Sequence, residues 1–196
     1  MAGTPIIIAH QHSLFSQKCR RAKHKWYEKI LAPFTDKIVA VSHCVKDDYV
    51  NYTGVSPQKV EVIYNGIELE PFTKRYDVSK LKQELGVENK IIVGSVGRLR
   101  WVKNYPTLIE AAEKVRYAVP DVVFIIAGDG PEHYKKKLLS QIQRLNLQKH
   151  VKLIGYRDDV PALLQMFDIC VLSSRFEGFP GVVLEFLASR LSLIHI

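Results

Sequence analysis

The chain has 196 residues, a length that suits one large domain or two short ones. Apolar residues make up 47% and charged residues 24%, which excludes collagen-like, low-complexity and wholly disordered chains. Lysine and arginine total 28 against 20 for aspartate and glutamate, and the net charge of +8 favours anionic partners.

The first part of the chain alternates short apolar runs with helical patterns up to residue 63. After these elements, Asn65-Gly66 marks a tight turn. The predicted strands are 6–9, 38–41 and 60–63, and the predicted helices are 15–32, which Pro33 ends, and 43–53, which Gly54 ends. Residues 71–90 follow with many charges and little periodicity until Leu81, so we interpret them as a linker.

From residue 91 onward the alternation becomes regular. Strands that are apolar on both faces and joined by helices predict a doubly wound α/β domain with a parallel sheet. The predicted strands are 91–96, 122–127, 151–154 and 169–172, with helices near 105–118, 132–146 and 159–167.

The densest positive run lies on the first predicted helix. It is opposed only by Glu28 and consists of Lys18, Arg20, Arg21, Lys23, Lys25 and Lys29. Such a run suits a solvated helix face, with a membrane surface or an anionic substrate as the alternative. Nucleic acid is disfavoured as a partner because the charge is spread over both parts of the chain without interleaved aromatic residues.

Three distant cysteines, Cys19, Cys44 and Cys170, predict neither a disulfide framework nor a zinc site. A reducing compartment is therefore expected, and we predict a cytoplasmic protein. The sequence also contains no apolar stretch long enough to span a bilayer and no signal-peptide pattern at residues 1–9.

The loops after the predicted strands carry the chemistry, because ligands of open parallel sheets bind beyond the carboxyl ends of the strands. Gly97 lets the backbone approach a ligand closely, and Arg98 and Lys103 place two cations beside the next helix N-terminus. This arrangement suits a phosphate or diphosphate, although a surface loop with ordinary charges is the alternative. After the third of these strands, Tyr156 and Arg157 are placed to flank a nucleotide base, or Tyr156 simply faces solvent.

The segment 173–185 gives the sharpest signal in the chain. Glu177 and Glu185 lie eight positions apart, so they can address two parts of an elongated ligand. Between them, Gly178, Gly181 and the helix N-terminal amides offer a cradle for phosphate oxygens. The alternative for Glu185 is a surface-facing first-turn glutamate favoured by the helix dipole.

Two histidines, His10 and His12, follow the first predicted strand. They have no third ligand at useful spacing, so a metal site is not predicted. A polar pair at a cleft edge is expected instead.

Taken in order, these motifs resemble one family. The segments Val41-Ser42, Asn65-Gly66-Ile67, Gly97-Arg98-Leu99 with Lys103, Gly128-Asp129-Gly130-Pro131, Gly155 and Glu177 through Glu185 are similar to the retaining glycosyltransferases of family 4. The resemblance extends from about residue 5 to 190 and implies the GT-B fold, with two Rossmann-like doubly wound parallel-sheet domains. The implied domains are a partial acceptor-side domain over 1–70, the linker 71–90, and a nearly complete donor-binding domain over 91–196.

The resemblance also implies residue roles. Arg98 and Lys103, with Gly97, would bind the donor diphosphate, and the backbone around Tyr156 and Arg157 would meet the base. Glu177 would approach the transferred sugar, and Glu185 would accept hydrogen bonds from the ribose. Amides around the loop would hold sugar and phosphate, at Gly178, Phe179, the neighbours of Pro180, Gly181 and Val182. His12 corresponds to the cleft histidine of the family, with His10 as its competitor.

The implied activity is transfer of a sugar, with retention, from a UDP- or GDP-sugar to a hydroxyl of a glycan, polysaccharide or lipid-linked acceptor. No metal and no cofactor beyond the donor substrate are expected, since the chain lacks an Asp-x-Asp motif and the two cations can stabilise the leaving diphosphate. Peripheral contact with the inner face of a membrane is a further hypothesis.

Two departures from the family pattern predict an enzyme truncated at both ends. Few residues precede the histidine strand, and the segment 188–196 lacks the Gly-x-Pro-Val strand expected after Glu185. The alternative function is therefore a non-catalytic nucleotide- or anion-binding α/β module, or an inactive fragment.

Overall fold

The structure is a computed structural model that describes residues 3, 5–18 and 22–195, with the side chains of 17, 18 and 22–25 left out. The chain forms two compact units. Unit 1 consists of Met1–Gly66 and Phe176–Pro180, and unit 2 of Ile67–Arg175 and Gly181–Ile196. Both contain parallel sheets, so the predicted α/β class is confirmed.

Unit 1 is built on a three-stranded parallel sheet in the order β1-β2-β3. Its strands are β1 (Ile8–Gln11), β2 (Lys37–Ala40) and β3 (Val60–Val62), and its helices are α1 (Phe15–Lys18), α2 (Ala22–Leu31) and α3 (His43–Thr53), with 3-10 turns at Ala32–Phe34 and Pro57–Lys59. The hydroxyl of Ser42 caps α3 by accepting from the Val45 amide, and Gly54 ends it in the left-handed conformation. Ile38, Val45 and Tyr49 lie at the centre of its core.

Unit 2 has a five-stranded parallel sheet in the order β6-β5-β4-β7-β8. Its strands are β4 (Ile91–Val96), β5 (Val122–Ala127), β6 (Val151–Gly155), β7 (Ile169–Leu172) and β8 (Ser192–His195), and its helices are α4 (Glu70–Thr73), α5 (Ser79–Leu85), α6 (Tyr105–Ala118), α7 (Glu132–Arg144), α8 (Val160–Met166) and α9 (Gly181–Ala188). All six residues of β5 are buried, because side chains pack on both faces of the sheet.

Two separate clusters cover the faces of this sheet. Leu108, Ile109 and Leu138 pack on one side, and Leu163, Leu164 and Phe186 pack on the other. The strand order reverses between β4 and β7, since the chain first moves outward to β6 and then returns to the other side of β4. Such a switch point is where open α/β sheets bind ligands.

Several boundaries differ from the sequence-based predictions. The interpreted linker 71–90 contains most of α4 and all of α5, and Leu81 and Val87 enter the core of unit 2. The first strand lies two residues later than predicted, because its pairing with β2 begins at Ile8, and this places His10 inside the strand. The single helix predicted over 15–32 is represented by α1 and α2, and residues 19–21 between them are outside the described part.

The end of the chain also differs from expectation. Ser192–His195 forms β8 and pairs in parallel with β7, although the segment lacks the glycine and proline expected there. In the part of the chain that the structure describes, no helix combines the length and the apolar character that crossing a membrane requires. Cys44 and Cys170 are both free, and Cys19 lies outside the described residues.

Candidate functional site

The loops after β4, β5 and β6 are tied together by backbone hydrogen bonds in unit 2. The Gly97 amide donates to the Ala127 carbonyl at 2.9 Å, and the Gly128 amide donates to the Gly155 carbonyl at 2.7 Å. A side chain at Gly128 would place its Cβ 2.1 Å from the Gly97 oxygen, and its φ of +141° also favours glycine. The glycines therefore allow the three loops to pack against each other at the carboxyl edge of the sheet.

A pocket of about 420 Å³ opens on this edge. Four of the residues assigned to the donor line it: Gly97, Arg98, Tyr156 and Arg157. The rest of its lining is small or aliphatic apart from Asp129 and consists of Val96, Ala127, Gly128, Asp129 and Val160. An apolar pocket with a few polar groups at its rim is the usual form of a small-molecule site.

The β4 loop holds the two cations assigned to a diphosphate. Arg98 follows Gly97 directly, and Lys103 ends a 3-10 turn, Trp101–Lys103, just before α6. The Cε atom of Lys103 lies 3.2 Å from the position that a Cβ at Gly97 would take, so the lysine stem passes close to this glycine.

Two hydroxyl groups fix this loop, and sequence reasoning missed both. The hydroxyl of Tyr105 donates to the Gly97 carbonyl at 2.8 Å, and that of Ser173 donates to the Lys103 carbonyl at 2.8 Å. Both side chains are buried. Apolar periodicity indicated only that a helix begins near Tyr105 and that a strand ends before Ser173. Periodicity carries no signal for hydrogen bonds to a distant loop.

The guanidinium of Arg157 is bound to two acidic residues of unit 2. Its guanidinium donates to both carboxylate oxygens of Asp159 and to Glu84 of α5. These bonds raise the pKa of Arg157 and lower that of Asp159. The ring of Tyr156 beside it is exposed.

Glu185 lies on α9, about one turn from its start at Gly181. Its side chain is half-buried, and burial raises the pKa of its carboxyl group. Val182, one turn earlier, packs against the core of unit 2. A half-buried carboxyl group is stabilised by hydrogen-bond donors. The role of Glu185 at a ribose stays a prediction.

In unit 1, the segment Phe176–Pro180 contains Glu177 and contacts the residues after β1 and β2. The hydroxyl of Ser42 donates to the Gly178 carbonyl at 2.8 Å. A Cβ at Gly178 would lie 2.3 Å from the His12 carbonyl oxygen, so this glycine is required by a close backbone approach. Phe179 packs against the core of unit 1 and against the ring of Tyr64.

His10 and His12 contact each other, with ring centroids 3.8 Å apart. Desolvation and the positive charge of His12 lower the pKa of His10. Within the described residues no group of three or more His, Cys, Asp or Glu side chains is arranged to hold a metal ion.

Comparison with known proteins identifies the family. Residues 77–195 match the model of glycosyl transferases group 1, and residues 2–71 match that of Glycosyltransferase Family 4. The chain belongs to the glycosyl transferases group 1 family, and the resemblance to family 4 glycosyltransferases is confirmed.

Two curated relatives act on lipid-linked sugars according to their names. The Escherichia coli UDP-Gal:alpha-D-GlcNAc-diphosphoundecaprenol alpha-1,3-galactosyltransferase is 33% identical over 94% of the chain and 50% of its own length. The Campylobacter jejuni N-acetylgalactosamine-N,N'-diacetylbacillosaminyl-diphospho-undecaprenol 4-alpha-N-acetylgalactosaminyltransferase is 31% identical over 87% of the chain and 44% of its own length. The chain thus spans about half the length of these relatives.

Solved structures agree with the family assignment. Anabaena HepE in complex with UDP-glucose superimposes with a TM-score of 0.88 at 29% identity, covering 97% of this chain and 53% of HepE. The fold is thus that of the GT-B glycosyltransferases, and the chain carries a glycosyltransferase domain.

Proposed function

We propose that this chain belongs to a retaining, metal-independent glycosyltransferase that uses a UDP-sugar as donor and requires no cofactor. The pocket at the carboxyl edge of the unit 2 sheet carries the proposal, because it combines apolar walls with Gly97, Arg98 and the Tyr156–Arg157 backbone. UDP is preferred over GDP because a relative that covers 94% of the chain is named for UDP-Gal and a structural neighbour holds UDP-glucose.

The proposed donor contacts divide by chemical group. Tyr156 and the adjacent backbone contact the base, and Glu185 accepts hydrogen bonds from the ribose. Arg98 and Lys103 bind the diphosphate close to the N-terminus of α6, where the helix dipole also favours negative charge.

The chemistry follows from the charge that develops during transfer. As the bond between the anomeric carbon and the diphosphate breaks, negative charge grows on the leaving group, and Arg98 and Lys103 stabilise it more strongly than they stabilise the bound donor. In this proposal Glu177 acts on the transferred sugar, and His12 is a second catalytic residue, with His10 as the alternative. Backbone groups of Gly178, Phe179 and the neighbours of Pro180, with Gly181 and Val182 at the start of α9, hold sugar and phosphate oxygens.

For the acceptor we propose a hydroxyl of a glycan, polysaccharide or lipid-linked sugar, with a lipid-linked sugar favoured. The named relatives act on diphosphoundecaprenol-linked sugars.

Large apolar side chains on and just after α2 are exposed, and we call them the α2 apolar face: Trp26, Tyr27, Ile30, Leu31 and Phe34. The sequence adds the positive run of residues 18–29, of which Lys29 is exposed and the others have no described side chain. Apolar and basic groups together suit peripheral binding to an anionic membrane, on its cytoplasmic side.

A nucleotide titration followed by a transfer assay tests the proposed activity. UDP is expected to bind more tightly than GDP or ADP, and sugar from a UDP-sugar is expected to appear on an added glycolipid acceptor. UDP binding without transfer would favour the non-catalytic nucleotide-binding module instead. Absence of binding by all three nucleotides would contradict both.

A further inference from the structure

The loop that carries Arg98 and Lys103 is fastened at both ends by buried hydroxyl groups from elsewhere in unit 2. We propose that Tyr105 and Ser173 are positioning residues that hold residues 97–103 in the conformation that binds a diphosphate. This inference rests on the proposed function, since it assigns the diphosphate to that loop.

Tyr105 fixes the beginning of the loop. Its side chain is 1% exposed, and its hydroxyl donates to the Gly97 carbonyl at 2.8 Å. The amide of the same Gly97 donates to the Ala127 carbonyl. In a trans peptide the C=O and the following N–H point in opposite directions. By holding the Gly97 carbonyl, Tyr105 therefore also sets the direction of the Arg98 amide, away from the tyrosine.

Ser173 fixes the end of the loop. Its side chain is 1% exposed, and it donates to the Lys103 carbonyl from the position directly after β7. The Arg175 amide adds a second link, to the Val102 carbonyl at 2.8 Å. Lys103 is thus positioned by the strand across the β4–β7 switch point, and Asn104 at φ 51° then turns the chain into α6.

These two bonds affect ligand binding because a preformed loop loses less conformational entropy when a ligand orders it. Burial of the Tyr105 ring keeps the residue in place without its hydroxyl, whereas the Gly97 carbonyl loses its partner. The 97–98 peptide then samples other orientations, and the cations beside it are less well aligned with two phosphates. The base is assigned to the Tyr156 backbone in the loop after β6, so its binding is expected to depend little on the orientation of the 97–98 peptide.

The test compares UDP with uridine, which differ only in the diphosphate. Dissociation constants are measured by ligand-observed NMR titration for the wild-type chain, Tyr105→Phe and Ser173→Ala, with thermal unfolding recorded for each. Both variants are expected to bind UDP about five- to tenfold more weakly, as loss of one net hydrogen bond implies, and to bind uridine as the wild type does.

Thr53→Val is the matched control, because the Thr53 hydroxyl is also fully buried and donates to a backbone carbonyl, that of Tyr49 in unit 1. It is expected to lower the unfolding temperature without changing either dissociation constant. Equal losses for UDP and uridine in the Tyr105 and Ser173 variants would show a general structural effect and overturn the inference, as would unchanged UDP binding. If the wild-type chain binds no UDP, both the proposed function and the inference about Tyr105 and Ser173 are contradicted.

Discussion

Arg157 carries a positive charge that the protein itself neutralises. Asp159 and Glu84 accept hydrogen bonds from its guanidinium, and these bonds hold the loop after β6 against α5. Arg98 and Lys103 lie in a different loop from Arg157, the loop after β4. In the proposed function the donor diphosphate is assigned to Arg98 and Lys103, and Arg157 is proposed to contribute through its backbone.

Replacing Lys103 with alanine tests this assignment at the residue scale. Turnover of a UDP-sugar is expected to fall by about 10²–10³-fold, because a cation that stabilises the leaving diphosphate in the transition state is lost. Steady-state transfer or donor hydrolysis measures the effect. Lys114→Ala, which removes an exposed lysine from α6 of the same unit, is expected to leave turnover unchanged. Near-normal turnover of Lys103→Ala would refute the role of this lysine.

At the scale of elements, the side chain of Phe167 packs directly against the backbone of β4 at Gly94. A Cβ at Gly94 would lie 1.9 Å from the Phe167 ring, and Phe167 itself is 4% exposed in the core between α8 and β7. Gly94 also pairs with Ile125 and Cys170 on its two neighbouring strands. The absence of a side chain at Gly94 thus allows the Phe167 ring to pack directly against β4.

Gly94→Ala is consequently expected to destabilise unit 2. The ring cannot move without disturbing a packed core, so the free energy of unfolding should fall by about 1–3 kcal/mol. Urea denaturation measures this change. Gly66→Ala serves as the control, because its Cβ would meet no atom within 4 Å and its φ is not in the left-handed region. An unchanged midpoint for Gly94→Ala would contradict the packing described here.

At the scale of the whole molecule, the net charge of +8 and the α2 apolar face make a common prediction. Exposed aromatic and aliphatic side chains beside a basic segment favour the headgroup region of an anionic bilayer. Tyr49 donates to the carboxylate of Glu28, the one acidic residue within the basic run, at 2.7 Å. This bond holds the Glu28 carboxylate, the one negative group of the run, against Tyr49 of α3.

Vesicle co-sedimentation tests the membrane proposal. At low salt the chain is expected to sediment with phosphatidylglycerol vesicles and not with phosphatidylcholine vesicles, because attraction to anionic lipid is electrostatic and screened by salt. The double variant Trp26→Ser/Ile30→Ser should reduce binding severalfold, whereas Tyr117→Ser, at an exposed tyrosine of unit 2, should not. No binding to phosphatidylglycerol at low salt would rule out this membrane contact.

Much of the fold of unit 2 was determined by local sequence. The bounds of β4, β5, β7 and α6 coincide with those predicted, as do those of α3 in unit 1, because apolar runs of strand length and clear helix starts are local signals. The motifs around Gly97, Gly128, Gly155 and Glu177 also indicated the family. The roles assigned to the site residues remain predictions.

Tertiary structure decided what depends on partners distant in sequence. β8 becomes a strand through pairing with β7, and α5 is ordered where Leu81 enters the core of unit 2. Tyr105 and Ser173 each bond a carbonyl in the β4 loop, and Arg157 meets Glu84 at a separation of 73 residues. Periodicity reports which face of an element is apolar, whereas a hydrogen bond depends on how distant parts of the chain pack, and only the folded unit fixes that.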